Sequence, residues 1–225
     1  MLKVKLAGVL CVLVGLSACS PAEMPSRART DVFPAVANMA PGQTAAQAAD
    51  ALNVVSYTVD VPRELLVSEA DVFLPNADIV WHGDPAGDRY AQVEAIFATA
   101  LGNSTAQMTS GHAVTVQIQV QMFHALTPKT RATMGGNFAM HFVMTVLDAE
   151  TGAVLDGPRA IVADTAASGG RKALREEAQG LTQKVVIVAR LAEVIAAKLQ
   201  EVELPDDQFA ISRNAFSPAD LTLAQ

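Results

Sequence analysis

The run Ala113–Phe123 constrains the fold more than any other part of the chain. Val114, Val116, Ile118, Val120 and Met122 alternate with Thr115, Gln117, Gln119 and Gln121. Successive side chains of a strand point to opposite faces, so this run predicts a strand with one apolar and one polar face. A slip of one residue would turn the whole apolar set outward, so burial fixes its register. A second run of the same kind follows. Phe138, Met140, Phe142, Met144 and Val146 form its apolar face, while Ala139, His141, Val143, Thr145 and Leu147 form a mixed one. Asp148–Gly152 is a short Asp-x-x-x-Gly turn into a third strand, Ala153–Asp164. The break at Gly157-Pro158 suits an edge or a bulge, because proline cannot donate to a sheet ladder.

Upstream, Val55, Tyr57, Val59 and Val61 alternate and predict a first strand over Asn53–Val61, ended by Pro62. Residues 63–76 show no clear period. Ala77–Trp81 is a short apolar run that predicts another strand, and Gly83, Pro85 and Gly87 make a turn after it. Asp88 stands where a helix N-cap is needed. Val93, Ile96, Phe97, Ala100 and Leu101 then share one helical face, with Gly102 and Asn103 expected to stop the helix. Ala125–Gly136 is expected to be a loop. Ser168-Gly169-Gly170 leads into a long helix, about Arg171 to Glu201. Its stripe runs Leu174, Ala178, Leu181, Val185, Val188, Ala192, Ile195 and Leu199, and Gly180 is its weak point. Such a stripe predicts packing across a sheet. Together these elements predict an α+β domain over residues 51–203: an antiparallel sheet with two helices packed on one face. With aromatics at only 5%, its core is expected to be aliphatic.

The N-terminus carries a different signal. Lys3 and Lys5 precede an eleven-residue apolar run, Leu6 to Leu16, too short for the roughly 20 residues of a spanning helix. It ends in Leu16-Ser17-Ala18-Cys19. That order resembles the processing site of bacterial lipoproteins. The resemblance implies a signal peptide at 1–18, cleavage before Cys19 and acylation of Cys19. Ser20 in place of Asp favours, by the sorting habit of that family, the outer over the inner membrane. Each buried CH₂ contributes about 0.8 kcal/mol, so more than one acyl chain makes a lasting anchor. Residues 19–50 hold Pro21, Pro25, Pro34 and Pro41 with few bulky apolar side chains, and are expected to be a flexible tether. Residues 204–225 are expected to be a C-terminal tail.

Composition then excludes several function classes. Lys3 and Lys5 leave with the leader, so 14 of the 16 basic residues face 23 acidic ones, a net charge of −9. Such a domain repels phosphate backbones, which argues against nucleic acid as a partner. Cys11 is lost with the leader and Cys19 is acylated, so no cysteine is left for a disulfide or a thiolate metal site.

No constellation carries catalysis. The sequence shows neither a Gly-x-Ser-x-Gly elbow nor a dinucleotide fingerprint. Of His82, His112, His124 and His141, only His124 and His141 are expected to approach one another, with no acid or cysteine nearby to complete a metal shell. Asp78, Asp84 and Asp88 lie around a Gly-rich turn, but their spacing matches no calcium loop; turn formation and capping account for them. Gly169-Gly170-Arg171-Lys172 could offer backbone N–H groups and two cations to an anion, without the spacing of a phosphate loop. Lys129 and Arg131 make a basic tip on an acidic protein. Lys129, Arg131, Arg171 and Lys172 are therefore the candidate partner contacts.

Over roughly residues 50–202 the chain resembles small bacterial envelope lipoproteins of unknown function. The segment VTVQIQVQMFHALTPKTR (Val114 to Arg131), Gly135-Gly136 and Asp148-Ala149-Glu150-Thr151-Gly152 carry the likeness. The order of elements is also similar to the auxiliary lipoproteins of lipid-transport ABC systems. These resemblances imply a binding or assembly role in a membrane complex, without catalysis or a cofactor. Two alternatives stay open: a lipid-carrying component of a transport system, and a subunit of an oligomeric outer-membrane pore.

Overall fold

A computed structural model describes residues 51–204. The leader, Cys19, the tether and residues 205–225 of the tail lie outside the described residues. The strands are β1 (Leu52–Asp60), β2 (Ile79–Val80), β3 (His112–His124), β4 (Gly136–Asp148), β5 (Val154–Val162) and β6 (Thr165–Ala167). The helices are α1 (Arg89–Thr105), α2 (Pro128–Ala132), α3 (Gly170–Ala178) and α4 (Gln183–Gln200). The fold is α+β, with an open, mostly antiparallel sheet in the order β1-β3-β4-β5.

β3 and β4 are the antiparallel pair that alternation predicts, with Val116 opposite Val146 and Ile118 opposite Met144. Their apolar faces are fully buried from Val114 to Val120 and from Phe138 to Val146. One residue departs from the expected phase. The register shifts between Val120 and Met122, so Phe123 takes the buried place and Met122 is left partly exposed. A bulge inserts one residue and flips the faces beyond it.

The sheet is not antiparallel throughout. β1 runs parallel to the first part of β3 and β2 parallel to its end. The chain between β1 and β3 crosses over through α1, the connection that parallel neighbours require. β1 is an edge strand with a bulge between Val54 and Ser56, and Val55 and Tyr57 of its expected apolar face are exposed. β5 is the other edge, with register shifts beside Gly157-Pro158 as the proline predicts.

α1 begins at the Asp88 cap, whose carboxylate accepts from the N–H groups of Tyr90 and Ala91. It passes through Gly102 and Asn103 to Thr105 instead of stopping there. Packing of Ala100, Leu101 and Thr105 outweighs the glycine's helix penalty of about 1 kcal/mol. The predicted long helix is two helices. Gly180 sits at φ 84°, and Thr182 caps a new helix start at Gln183, its hydroxyl accepting from the Val185 N–H. The stripe therefore also changes: Leu174, Leu181 and Val185 are exposed, and Ile187, Leu191, Ile195 and Leu199 step by four along the buried face of α4.

α1 and α4 contribute to the same core on one face of the sheet. That core is not simply aliphatic. Trp81, Phe97, Phe123, Phe138 and Phe142 are among its largest fully buried side chains. Phe97 of α1 meets Phe142 edge-on at 5.4 Å, and Trp81 meets Phe123 edge-on at 5.7 Å. The few aromatics are concentrated where helix and sheet meet.

Candidate functional site

Two surface clefts flank α4. The first, about 440 Å³, lies at its N-terminal end and is bounded by the residues after β2, by α2 and by α3. The second, about 460 Å³, runs between α1 and α4, with Ala95, Ile96, Val185, Val188 and Ala189 making an apolar lining.

The first cleft is built from three segments that read as unrelated in sequence. Thr127 caps α2 by accepting from the Thr130 N–H, and Pro128 stands at the first turn, where its missing N–H costs nothing. The Thr127 and Thr130 hydroxyls donate to the carbonyls of Val72 and Phe73, so residues 63–76 are tied onto this helix. Gly135 and Gly169 then bring α2 and α3 together. A Cβ on Gly169 would collide with the Gly135 backbone, so only glycine fits this backbone-to-backbone approach. Gln183, at the start of α4, is buried and bonds both the N–H and the carbonyl of Leu126.

Below the cleft lies a network around Asp84. Its carboxylate accepts from the Trp81 indole at 2.9 Å and from Lys184 Nζ at 2.6 Å. Burial alone would raise its pKa; the bonds from Lys184 and Trp81, with the charges of Lys184 and Arg89, outweigh it and hold the carboxyl below its ordinary range. Arg89, only 5% exposed, pairs with Glu69 through Nε and Nη2 and donates to the carbonyls of Asp84 and Pro85 and to Gln92. It ties residue 69, the 84–85 turn and α1 into one unit.

The residues singled out by sequence take the following places. Asp78 accepts from the Leu66 N–H, and Asp88 caps α1 while pairing with Arg63, so these two acids and Asp84 are all structural. His124 and His141 do not share a partner: His124 meets the Ala77 carbonyl, and His141 meets Asp164 at 3.1 Å. His112 pairs with Asp148 at 2.7 Å. Of the pair expected to approach one another, His141 thus has an acidic neighbour. Among the described residues no three ligand-type side chains converge on one point.

The expected basic tip is the helix α2, and its two cations diverge. Lys129 lies over the Phe73 ring at 4.7 Å, exposed. Arg131 turns inward: its side chain is 11% exposed and stands 3.7 Å from Glu177 of α3. Arg171 is exposed, while Lys172 faces Glu176 one helical turn on at 3.6 Å. The Gly169–Gly170 turn is pressed against Gly135 instead of standing open to an anion.

Asp148 is one source of the acid dependence expected of the fold. It accepts from the Thr151 N–H and hydroxyl, and from Glu150 N–H and His112. The Thr151 bonds, first the N–H and then the hydroxyl, pull its pKa down to about 2, with His112 adding to them. A carboxyl whose pKa is lower in the folded chain stabilises the fold above its unfolded pKa of about 3.9, and that contribution disappears as pH falls toward 2. Glu69, Asp84, Asp88 and Glu201 are shifted in the same direction. Thermal melts are therefore expected to fall steeply between pH 4 and 2. Asp148→Asn should be less stable at pH 7 and should show a shallower acid fall; an unchanged acid limb removes Asp148 as a contributor.

Two solved structures resemble part of the chain. A protein from Caulobacter crescentus CB15, described as a candidate lipoprotein, aligns at 16% identity and a TM-score of 0.30, covering 48% of this chain and 80% of its own. A protein from Xanthomonas campestris, of the family DUF330, aligns at 12% identity and a TM-score of 0.41, covering 68% and 84%. Among curated proteins none matches. Over residues 52–214 the sequence fits the model of a family of unknown function, DUF6778. That span takes in every described strand and helix, and the chain belongs to this family.

Proposed function

We propose that the chain is a lipid-anchored, noncatalytic envelope protein whose domain serves as a binding or assembly module of a membrane complex, with the outer membrane its site. The anchor rests on Leu16-Ser17-Ala18-Cys19. The module reading rests on one observation: the space between sheet and helices is filled by side chains. Trp81, Phe97, Phe123 and Phe142 interlock there, where an acyl chain would have to lie in a carrier with a pocket between these layers. The opposite sheet face carries exposed Gln117, Gln119 and Gln121 and suits a protein contact. Among the described residues no helix is long and apolar enough to cross a membrane, so the acyl chains would do the holding. Nucleic acid is not among the partners of this reading.

Cys19→Ser tests it. The variant is expected to move from the membrane fraction to the soluble one, and the mass of the native protein should begin at Cys19 and include acyl chains. An unmodified thiol, or a variant still held by the membrane, overturns the anchor. Affinity capture from native membranes tests the module; recovery of a defined complex supports it, and recovery of the chain alone counts against it.

A second reading has its own observation. The apolar groove between α1 and α4 favours a lipid-carrying auxiliary component of a transport system, and co-purified lipid would support that reading. A pore subunit is less well supported: α1 and α4 occupy the apolar face of β3 and β4 that a barrel would turn toward lipid.

A further inference from the structure

The polar groups around the cleft at the start of α4 are unequally engaged. Gln183 is committed to Leu126, Thr182 caps α4, and Lys184 is bound to Asp84. Arg131 and His82 differ. Arg131 Nε and Nη2 and His82 Nε2 are buried without a hydrogen-bond partner among the described residues. The near acid, Glu177, is 3.7 Å from Arg131 Nε, at ion-pair distance but beyond a hydrogen bond. A guanidinium withdrawn from water without acceptors is unfavourable unless an oxygen meets it. This cation is also held in place, since α2 is clamped by its cap, by residues 72–73 and by Gly135.

We propose that this cleft binds a small molecule through an anionic phosphate group. Arg131 is the principal donor, and His82 lines the same cleft. Guanidinium is suited to this task because its planar fork matches a pair of phosphate oxygens. Pro128, Ala132, Ala173 and Leu174 give the cleft an apolar wall, so the anionic group is carried on a small apolar body. Glu177 is half-exposed, and acts as an internal competitor that swings out when the ligand enters. This site goes beyond the anchor and module readings and does not depend on Cys19.

The competitor gives the proposal a sign. Full-length protein in neutral detergent is titrated with inorganic phosphate and, separately, with dihexanoyl phosphatidic acid. Heat and Trp81 emission are the readouts, because Trp81 is the one tryptophan of the chain and Lys184 Nζ lies 6.0 Å from its ring. Saturable binding of at least one probe is expected. Phosphate binding alone identifies a free anion as the source; phosphatidic acid binding alone identifies a lipid headgroup. Arg131→Gln should weaken binding about tenfold or more, and Glu177→Gln should tighten it about threefold. Leu174 is 66% exposed at the cleft, so Leu174→Glu adds a repelling charge without disturbing the core, and should weaken binding even if Arg131→Gln fails to fold. Lys129→Gln, outside the lining, should leave it unchanged. No saturation with either probe overturns the proposal. So does affinity unaffected by both Arg131→Gln and Leu174→Glu, or weakened by Glu177→Gln. Cys19→Ser should retain the binding, so failure of the anchor and failure of this site are separate results.

Discussion

Trp81→Ala is expected to lower the unfolding free energy by about 4 kcal/mol, a value typical of removing a large aromatic from a close-packed core. Trp81 is fully buried, its ring meets Phe123 edge-on, and its N–H is the bond to Asp84. Gly83 also lies so close to the indole that no Cβ would fit there. The surroundings have little freedom to collapse, because β2 is pinned to β3 on one side and the 84–85 turn is pinned by Arg89 on the other. Urea melts followed by far-ultraviolet circular dichroism measure the loss. Trp81→Phe keeps most of the apolar area but drops the bond to Asp84, and should cost about 1–2 kcal/mol. A loss under 1 kcal/mol for the alanine variant would mean that Trp81 is not in the core.

Arg89→Ala is expected to cost about 3 kcal/mol, and Arg89→Lys to recover less than half of that. The value is set by what is left behind. Asp84 and Pro85 lose the donor to their carbonyls, and the packed aliphatic stem leaves a void. Glu69 contributes less, because its side chain is 55% exposed and returns to water. Glu69→Gln alone should therefore cost no more than about 1 kcal/mol. Lysine cannot reproduce the fork that reaches Glu69 through two nitrogens while a third serves the carbonyls. If Arg89→Lys matches the native chain in stability, the bidentate geometry carries no weight.

The elements whose side chains face one environment are legible in the sequence itself. β3 and β4 alternate because helices cover only one face, and Asp88 announces α1 by its chemistry. The direction of β1 was not legible. Parallel strands are usually revealed by burial on both faces, and an edge strand over an open face shows no such run. The break at Gly180 was visible as a weak point, but a stepped apolar stripe drawn through it joined side chains from two separate helices. The cleft was hidden for a different reason. Thr127-Pro128 is a helix start, whereas a loop there predicts a solvated Arg131. Its burial depends on Gly135 meeting Gly169, a contact between positions far apart in sequence that no local pattern reports.

The domain has a polarity along α4. Ala51 and Leu52, where the described chain starts, share a shallow recess with Leu199 and Val202, where it finishes. The first and last described segments therefore meet at one corner. Arg131 and His82 lie at the opposite end of an 18-residue helix, a rise of about 27 Å away. The recess and the cleft therefore stand at opposite ends of α4, too far apart for one side chain to touch both.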